Sequence, residues 1–286
     1  MKLGIVIILY HPDEAHIRGL VQAYSNAGLP VVLVDNSPAP FNLTELTYSQ
    51  YLHNPDNAGI ARAQNQGIEA LLSLGCRYVL ILDQDSKLAC SDIEKLASHF
   101  RVLESAGEPV AAIGPTVHCS FSDKLVVPKV NRHKAVSETL VNAKQLIASG
   151  MLLSAAAYSR IGGKEESLFI DGVDHEWCWR ARHQGFSLFQ AKDVVMPHRQ
   201  GDARIRLCGV IFKVGAPVRL YYQVRNVLLL SRRGYVPTYW KVRNFLALPL
   251  RYLANRWFME NGKQRGVLMR KGFVDGCCKR SGKLTE

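Results

Sequence analysis

The first 115 residues alternate short apolar runs with stretches that have the period of an amphipathic helix. The apolar runs are rich in Val, Ile and Leu and lack a polar residue at every second position, which is typical of strands buried on both faces. Strand and helix alternation predicts an α/β fold with a mostly parallel sheet flanked by helices. The predicted strands cover 3–10, 30–37, 78–86 and 109–115, and the predicted helices cover 14–28, 60–75 and 91–107, the last with Ser91 as N-cap.

The pattern changes in the last third of the chain. Residues 218–258 interleave aromatic, aliphatic and basic side chains at roughly helical spacing, and Pro237 and Pro249 are expected to divide this segment. We therefore predict an α/β domain over 1–205 and a basic, amphipathic helical region over 206–286.

The charge distribution adds to this division. The whole chain carries +12, whereas residues 199–286 alone carry +15 and the remainder carries −3. Amphipathic helices with a basic side lie in the headgroup plane of anionic membranes. We predict such membrane contact for the C-terminal region, with a simply solvated face as the alternative. No module typical of nucleic-acid binding is present in the sequence, so nucleic acid is not an expected partner.

The remaining global features indicate a cytosolic protein. The apolar start of the chain, Met1 to Tyr10, leads into a polar segment without a cleavage site, so it predicts a buried strand and not a signal peptide. No run approaches 18 apolar residues, and no membrane-spanning helix is expected. Seven cysteines without a CxxC pair are predicted to be reduced thiols.

Polar residues follow three of the predicted strands, at 10–13, 35–37 and 83–86. In open α/β sheets ligands bind outside the carboxyl ends of the strands, so these segments predict one site at one edge. Taken singly, each segment also fits a turn or a helix cap. Asp83 and Asp85 form a D-x-D pair, and such carboxylates suit Mg²⁺ or Mn²⁺ held together with a diphosphate.

Two common phosphate-binding motifs are missing from the sequence. Neither G-x-G-x-x-G nor G-x-x-x-x-G-K-[ST] occurs, which argues against NAD or ATP held in those ways. Gly59, Ala61 and Ala63 instead place small side chains at the start of a predicted helix. This composition predicts a close approach to a ligand there.

Six motifs occur in a characteristic order: VIILYHPD, VDNS, NAGIARAQNQGI, LDQDS, SGMLLS and FIDGVDHEWCWR. Together they resemble the inverting family 2 glycosyltransferases of the GT-A fold, in particular the bacterial rhamnosyltransferases that use dTDP-L-rhamnose. The resemblance covers about residues 3–200 and implies a Rossmann-like sheet. It also implies a nucleotide-sugar donor, Mg²⁺ or Mn²⁺, and a polyprenol-linked or oligosaccharide acceptor for a surface polysaccharide such as O-antigen or capsule. The expected location is the inner face of a bacterial cell membrane.

The resemblance implies roles for individual residues. Tyr10 and Pro12 are expected at the base pocket, Gly150 at the acceptor cleft, and His198, 18 residues beyond Arg180, at the metal or diphosphate. The residues expected to border the nucleotide or sugar are Asp35, Asn57, Gly59, Ala63, Asn65, Asp83 and Gln84, and those expected to ligate the metal are Asp83, Asp85 and His198.

The segment 169–180 contains the expected catalytic base. In the family the base is the second acid of a pair that lies six residues before an arginine, a position that Asp174 occupies relative to Arg180. Val173 replaces the first acid, which leaves a supporting role to Asp171 or Glu176. Trp177 and Trp179 are expected either as an apolar platform for a sugar or as core residues.

Two alternatives remain from the sequence. One keeps the fold with a UDP-sugar donor, such as UDP-galactofuranose, UDP-glucose or UDP-GlcNAc. The other is a non-catalytic binding protein tethered through its basic region. The joint presence of Asp85, Asp174 and His198 favours an enzyme, because a degenerate site is expected to lose some of these groups.

Overall fold

The computed structural model describes residues 2–44, 46–119, 124–125, 134–198, 203–207 and 210–285. The strands are β1 Leu3–Leu9, β2 Val31–Asp35, β3 Gln50–His53, β4 Tyr78–Asp83, β5 Val110–Cys119, β6 Lys124–Leu125, β7 Lys134–Ala135, β8 Leu140–Asn142, β9 Met151–Ser154, β10 Ser187–His198, β11 Ala203–Leu207 and β12 Val210–Val214. The helices are α1 Glu14–Asn26, α2 Ile60–Ser73, α3 Cys90–Ser105, α4 Ala155–Ile161, α5 Val173–His183, α6 Pro217–Ser231, α7 Thr238–Trp257 and α8 Gly262–Cys277, with one 3-10 turn at Glu166–Leu168.

One large sheet forms the centre of the molecule, in the order β3-β2-β1-β4-β9-β5-β10-β8-β7. Strands β3, β2, β1 and β4 form a continuous parallel block, and β5 and β10 form a second parallel pair. Strand β9 lies between them and runs antiparallel to both neighbours. The predicted α/β fold is confirmed, and the carboxyl ends of the parallel block meet at one edge as expected.

Helices cover both faces of the sheet. Successive side chains of a strand point to opposite faces, so Ile5 and Ile7 pack with α1 and α3, whereas Val6 and Ile8 pack with α2, α4 and α5. Every residue of β1 is buried. This two-sided burial explains the continuous apolar runs from which the strands were predicted.

Two predicted boundaries are wrong. Helix α3 begins at Cys90 after an extended Ala89, so Ser91 already lies inside the helix and is not its N-cap. Pro237 precedes α7 as expected, but Pro249 lies within that helix. A proline inside a helix removes one backbone hydrogen bond, and here the helix continues through it where α7 packs along α8.

The C-terminal helices pack closely on one another. A Cβ atom at Gly272 of α8 would lie 2.4 Å from the carbonyl oxygen of Tyr221 in α6, and one at Gly276 would lie 2.6 Å from Leu228. These glycines therefore let α8 lie directly against the backbone of α6. Among the helices in the described ranges, none combines the length and apolarity needed to cross a membrane.

Candidate active site

The ends of the three parallel strands are joined by hydrogen bonds. Gln84, after β4, binds the backbone of Tyr10, after β1: its Oε1 accepts from the Tyr10 N–H at 2.6 Å and its Nε2 donates to the Tyr10 carbonyl at 3.0 Å. The N–H of His11 donates to Oγ of Ser37, after β2, at 2.8 Å. The polar segments predicted to share one edge therefore do share it.

The segment before β9 brings two carboxylates of different origin together. The N–H of Asp83 donates to Oγ of Ser149 at 3.2 Å, and the N–H of Ala148 donates to Oδ2 of Asp174 at 3.1 Å. Because Ala148 and Ser149 are consecutive, their Cα atoms are only about 3.8 Å apart. The D-x-D loop and the start of α5 therefore meet at one place.

The electrostatics of Asp83 reflect this meeting. Burial, together with the negative charges of Asp174 and Asp85, raises the pKa of Asp83 to about 7, against the opposing charge of Arg219. A like charge has this effect only when it is near. The three acids predicted to carry the chemistry thus lie within one electrostatic neighbourhood.

The carboxylates fit a divalent cation that is shared with a ligand. Asp83 is partly buried and Asp85 is exposed at the sheet edge. Within the described side chains, which exclude that of His198, no three His, Cys, Asp or Glu residues form a group that could hold a metal ion. Mg²⁺ is commonly bound by one or two carboxylates, with phosphates and water completing its shell, so Asp83 and Asp85 are a suitable pair.

Asp174 lies in the first turn of α5 and is partly exposed. The helix begins after Gly172, whose φ is +86°, and after Asp171, whose φ is +67°. Arg219, from the first turn of α6, contacts both carboxylate oxygens of Asp171, at 2.7 and 3.3 Å. Arg219, which in the sequence is one of many basic residues of the C-terminal region, thus contacts the loop before α5.

Trp177 is a core residue and not a sugar platform. It is fully buried, and its Nε1–H donates to the carbonyl of Gly162 at 2.9 Å. The ammonium group of Lys164 lies 4.4 Å from the Trp177 ring centroid. Burial lowers the pKa of Lys164, and the charge of Asp174 opposes that shift. Trp179 is buried as well and packs edge-on against Trp240.

Glu176 is also internal, which contradicts a direct contact with substrate. Its side chain is 0% exposed. Its carboxylate forms a two-pronged ion pair with Arg180, at 2.8 and 3.0 Å, and accepts from the hydroxyl of Tyr235 at 2.6 Å. Arg233 approaches the same carboxylate at 3.4 Å. Glu176 thus ties α5 to the turn between α6 and α7.

Two residues predicted to contact the nucleotide, Asp35 and Asn65, form their side-chain hydrogen bonds within the protein. Asp35 is 0% exposed, and its carboxylate accepts from the N–H groups of Ser37 and Phe41 and from the hydroxyl of Tyr51. Asn65 is buried, and its side-chain amide bonds to Tyr158, Lys164 and Glu166. Both side chains are thus hydrogen-bonded to neighbouring loops and helices of the protein.

Protein atoms lie close to Gly59 and Gly150, the two glycines predicted to border the ligand. A Cβ at Gly59 would lie 2.8 Å from the carbonyl oxygen of Phe169, and a Cβ at Gly150 would lie 2.7 Å from Pro115. Ala63 is fully buried on α2, and the side-chain oxygen of Asn57 accepts from the Gly59 N–H at 3.0 Å. The exposed or partly exposed members at the edge are Tyr10, Pro12, Asn57, Asp83, Gln84, Asp85 and Asp174.

Comparison with solved structures identifies the architecture. The chain superimposes on GalNAc-T7, crystallised with UDP, GalNAc and Mn²⁺, with a TM-score of 0.56 at 14% identity, covering 97% of this chain and 56% of that one. It superimposes on residues 1–349 of S. aureus TarS with a TM-score of 0.51 at 10% identity, covering 96% and 80%. The chain therefore has the GT-A fold of these two structures.

Sequence comparison places the chain among the glycosyltransferases. No family model matches it. It is 31% identical to the dTDP-rhamnosyl transferase RfbF of Shigella flexneri over 83% of this chain and 82% of that protein. It is 25% identical to the low-salt glycan biosynthesis hexosyltransferase Agl10 of Haloferax volcanii, over 80% and 75%. The chain belongs to the family 2 glycosyltransferases, in the rhamnosyltransferase branch that includes RfbF.

Proposed function

We propose that the protein transfers L-rhamnose from dTDP-L-rhamnose, with inversion, to a lipid-linked or saccharide acceptor of a surface polysaccharide. The observation that supports the reaction most strongly is the meeting of Asp83, Asp85 and Asp174 at the carboxyl edge of the sheet. The choice of donor is supported by the similarity to RfbF.

Asp174 is the general base in this proposal. Inverting transfer requires a group that takes the proton from the acceptor hydroxyl as its oxygen attacks the anomeric carbon. The bond from that carbon to the nucleoside diphosphate breaks on the opposite face. Asp174 suits this task because Oδ2 is held by the Ala148 N–H while the side chain stays partly exposed. A positioned base contributes a factor of roughly 10²–10⁴ to the rate.

Asp83 and Asp85 would hold Mg²⁺ or Mn²⁺ in the active enzyme, with His198 as a further candidate whose side chain lies outside the described residues. When bound, such an ion neutralises negative charge that develops on the departing diphosphate. Tyr10, Pro12 and Gln84 lie at the same edge and would border the nucleoside. Gln84 fixes the Tyr10 backbone through its two hydrogen bonds.

A donor panel tests this function. We expect the purified protein, with Mg²⁺ or Mn²⁺, to bind and slowly hydrolyse dTDP-L-rhamnose in preference to UDP-galactofuranose, UDP-glucose and UDP-GlcNAc. Chelation by EDTA should abolish turnover, because Asp83 and Asp85 alone leave the diphosphate charge uncompensated. Equal turnover after chelation would contradict the cation role. Preference for a UDP-sugar would contradict dTDP-L-rhamnose as the donor, but it would still agree with a glycosyltransferase.

The C-terminal region is proposed to attach the enzyme to the inner face of the membrane. Helix α7 exposes an apolar stripe, with Leu246 at 70% and Trp257 at 67% relative exposure. The stripe consists of Val242, Leu246, Leu250, Leu253 and Trp257. Its spacings of three and four residues put these side chains on one helix face. An exposed apolar face of this kind needs a partner.

The charges around the stripe favour an anionic lipid surface as that partner. Residues 238–277 contain eight Lys or Arg and two acids, Glu260 and Asp275. Asp275 is buried and bonded to Tyr221. Burial and the positive charge of Arg243 lower the pKa of Arg251, another basic residue of α7. Each basic residue close to an anionic leaflet adds about 1 kcal/mol of binding.

A vesicle assay tests the attachment. We expect the intact protein to co-sediment with vesicles that contain phosphatidylglycerol, less at high salt, and only weakly with pure phosphatidylcholine. Leu246→Glu combined with Leu250→Glu should weaken binding by about 100-fold or more, since each buried leucine side chain contributes at least about 1.5 kcal/mol.

The matched control for that assay is Val102→Glu. Val102 is an apolar residue of α3 with 63% exposure, outside the C-terminal region. The Val102→Glu protein should bind vesicles as strongly as the wild type does. Equal loss in the control, or concentration-dependent dimers that form through α7 without vesicle binding, would contradict a membrane surface as the partner.

A further inference from the structure

The loop immediately before α5 has an unusual backbone. The N–H of Ile170 donates to the carbonyl of Leu168 at 2.7 Å across Phe169, whose φ and ψ are 63° and −64°. This is the rare, strained form of the three-residue γ-turn. Asp171 and Gly172 follow with φ of +67° and +86°. Three left-handed positions therefore occur within four residues, directly ahead of Asp174.

Two adjacent side chains of α6 hold this loop. The side-chain amide of Asn226 donates to the carbonyls of Leu168, Ile170 and Asp171, at 3.0, 2.8 and 2.8 Å. Arg225 is fully buried, and its Nη2 donates to the carbonyl of Leu168 at 2.9 Å. Three carbonyls of the strained loop thus receive their hydrogen bonds from one buried pair.

Further contacts restrain Phe169 itself. Its ring stacks on Tyr222 of α6, with centroids 4.9 Å apart and planes 16° from parallel. Its carbonyl accepts from the Ile60 N–H at 2.9 Å, which the absence of a side chain at Gly59 makes possible. Strained backbone persists where the surroundings over-determine it, and such positions cluster at active sites.

We propose that Arg225 and Asn226 are positioning residues that set Asp174 at the geometry needed for proton abstraction. They act through the 168–172 loop, whose carbonyls they fix and whose end determines where α5 begins. The inference rests on Asp174 being the base, as proposed above. It assigns the C-terminal region a task in the transfer step that is separate from membrane attachment.

The test compares Asn226→Ala with Asn244→Ala. Both asparagines are buried, but the side chain of Asn244 donates to the Trp240 carbonyl within its own helix, away from the loop. We expect Asn226→Ala to lower kcat by about 100-fold, the effect of a displacement near 1 Å at a reacting group. Donor affinity should stay close to wild type. Asn244→Ala should lose comparable thermal stability and keep its kcat.

Several outcomes would overturn the proposal. One is an Asn226→Ala enzyme whose kcat matches that of Asn244→Ala, and another is a parallel fall of kcat and donor affinity, which indicates general loss of structure. If Asn226→Ala does not fold, Asn226→Ser is the second variant, since it keeps one hydrogen-bond donor. A wild-type kcat in Asn226→Ser would contradict the positioning role. Loss of activity in Asp174→Asn beside full activity in Asn226→Ala would remove the positioning role alone. Full activity in Asp174→Asn would remove the base.

Discussion

Asp174→Asn should lose sugar transfer by a factor of roughly 10²–10⁴, the contribution of a positioned general base. The change keeps the size of the side chain and an oxygen that can accept from the Ala148 N–H, so the loop before β9 should stay in place. An amide does not take the acceptor proton. The loss should therefore appear in kcat, measured with saturating donor and acceptor.

Donor binding and thermal stability should be measured together with kcat, because they distinguish loss of the base from loss of structure. Donor binding and thermal stability of Asp174→Asn should stay near wild type, because Asp83 and Asp85, the proposed cation ligands, are unchanged. Asp92→Asn is the matched control: Asp92 pairs with Lys95 on the surface of α3, at 2.9 Å, and its loss should not change the rate. Undiminished transfer by Asp174→Asn would exclude it as the base.

Glu176→Ala should lower the free energy of unfolding by about 3–5 kcal/mol, the usual cost of removing one partner of a buried ion pair. The substitution leaves the guanidinium of Arg180 and the hydroxyl of Tyr235 without their shared acceptor. The effect is measurable as a lower midpoint of urea denaturation at unchanged slope.

Two control variants, Glu14→Ala and Glu176→Gln, accompany the stability measurement on Glu176→Ala. Glu14→Ala removes a carboxylate that pairs with Arg18 on the surface of α1, and the midpoint should remain near wild type because exposed pairs contribute little. Glu176→Gln keeps the volume of the side chain, and its midpoint of urea denaturation should lie between those of Glu176→Ala and Glu14→Ala. A Glu176→Ala protein as stable as Glu14→Ala would show that the buried pair does not hold α5 against the C-terminal helices.

The position of the site was predictable from the sequence because strand ends have a simple rule. Parallel strands bring their carboxyl ends to one edge, so polar residues after β1, β2 and β4 had to be neighbours. Asp83 and Asp85 were predicted from this rule and from family resemblance, and Asp174 was predicted from family resemblance alone. The hydrogen bonds of Gln84 to Tyr10 and of His11 to Ser37 now show the contacts.

The internal roles were not predictable from the sequence. Asp35, Asn65 and Glu176 are polar residues within functional motifs, and their partners lie far along the chain or in short irregular loops. Asn65, for example, bonds to Lys164, 99 residues away. A motif records which residue types a site needs, but a side chain that builds the loop and one that touches the ligand look alike in it.

Helix continuity through Pro249 and the role of α6 have a similar cause. Helix α7 continues through Pro249, where local preference predicts a break, and packs against α8, which the sequence alone did not show. In the same way, Arg219, Arg225 and Asn226 looked like members of an amphipathic basic segment. Only the packing of α6 against the 168–172 loop shows that these side chains contact it.

The most direct test of the shared site is the titration of Asp83 in metal-free protein, followed by ¹³C NMR of labelled aspartate carboxyl groups and assigned with Asp83→Asn. The structure predicts a pKa of about 7 in the wild type, raised by burial and by the charges of Asp174 and Asp85. In Asp174→Asn one of those like charges is gone, so the pKa of Asp83 should fall. An Asp83 pKa that is the same in both proteins would show that the two carboxylates do not share one site.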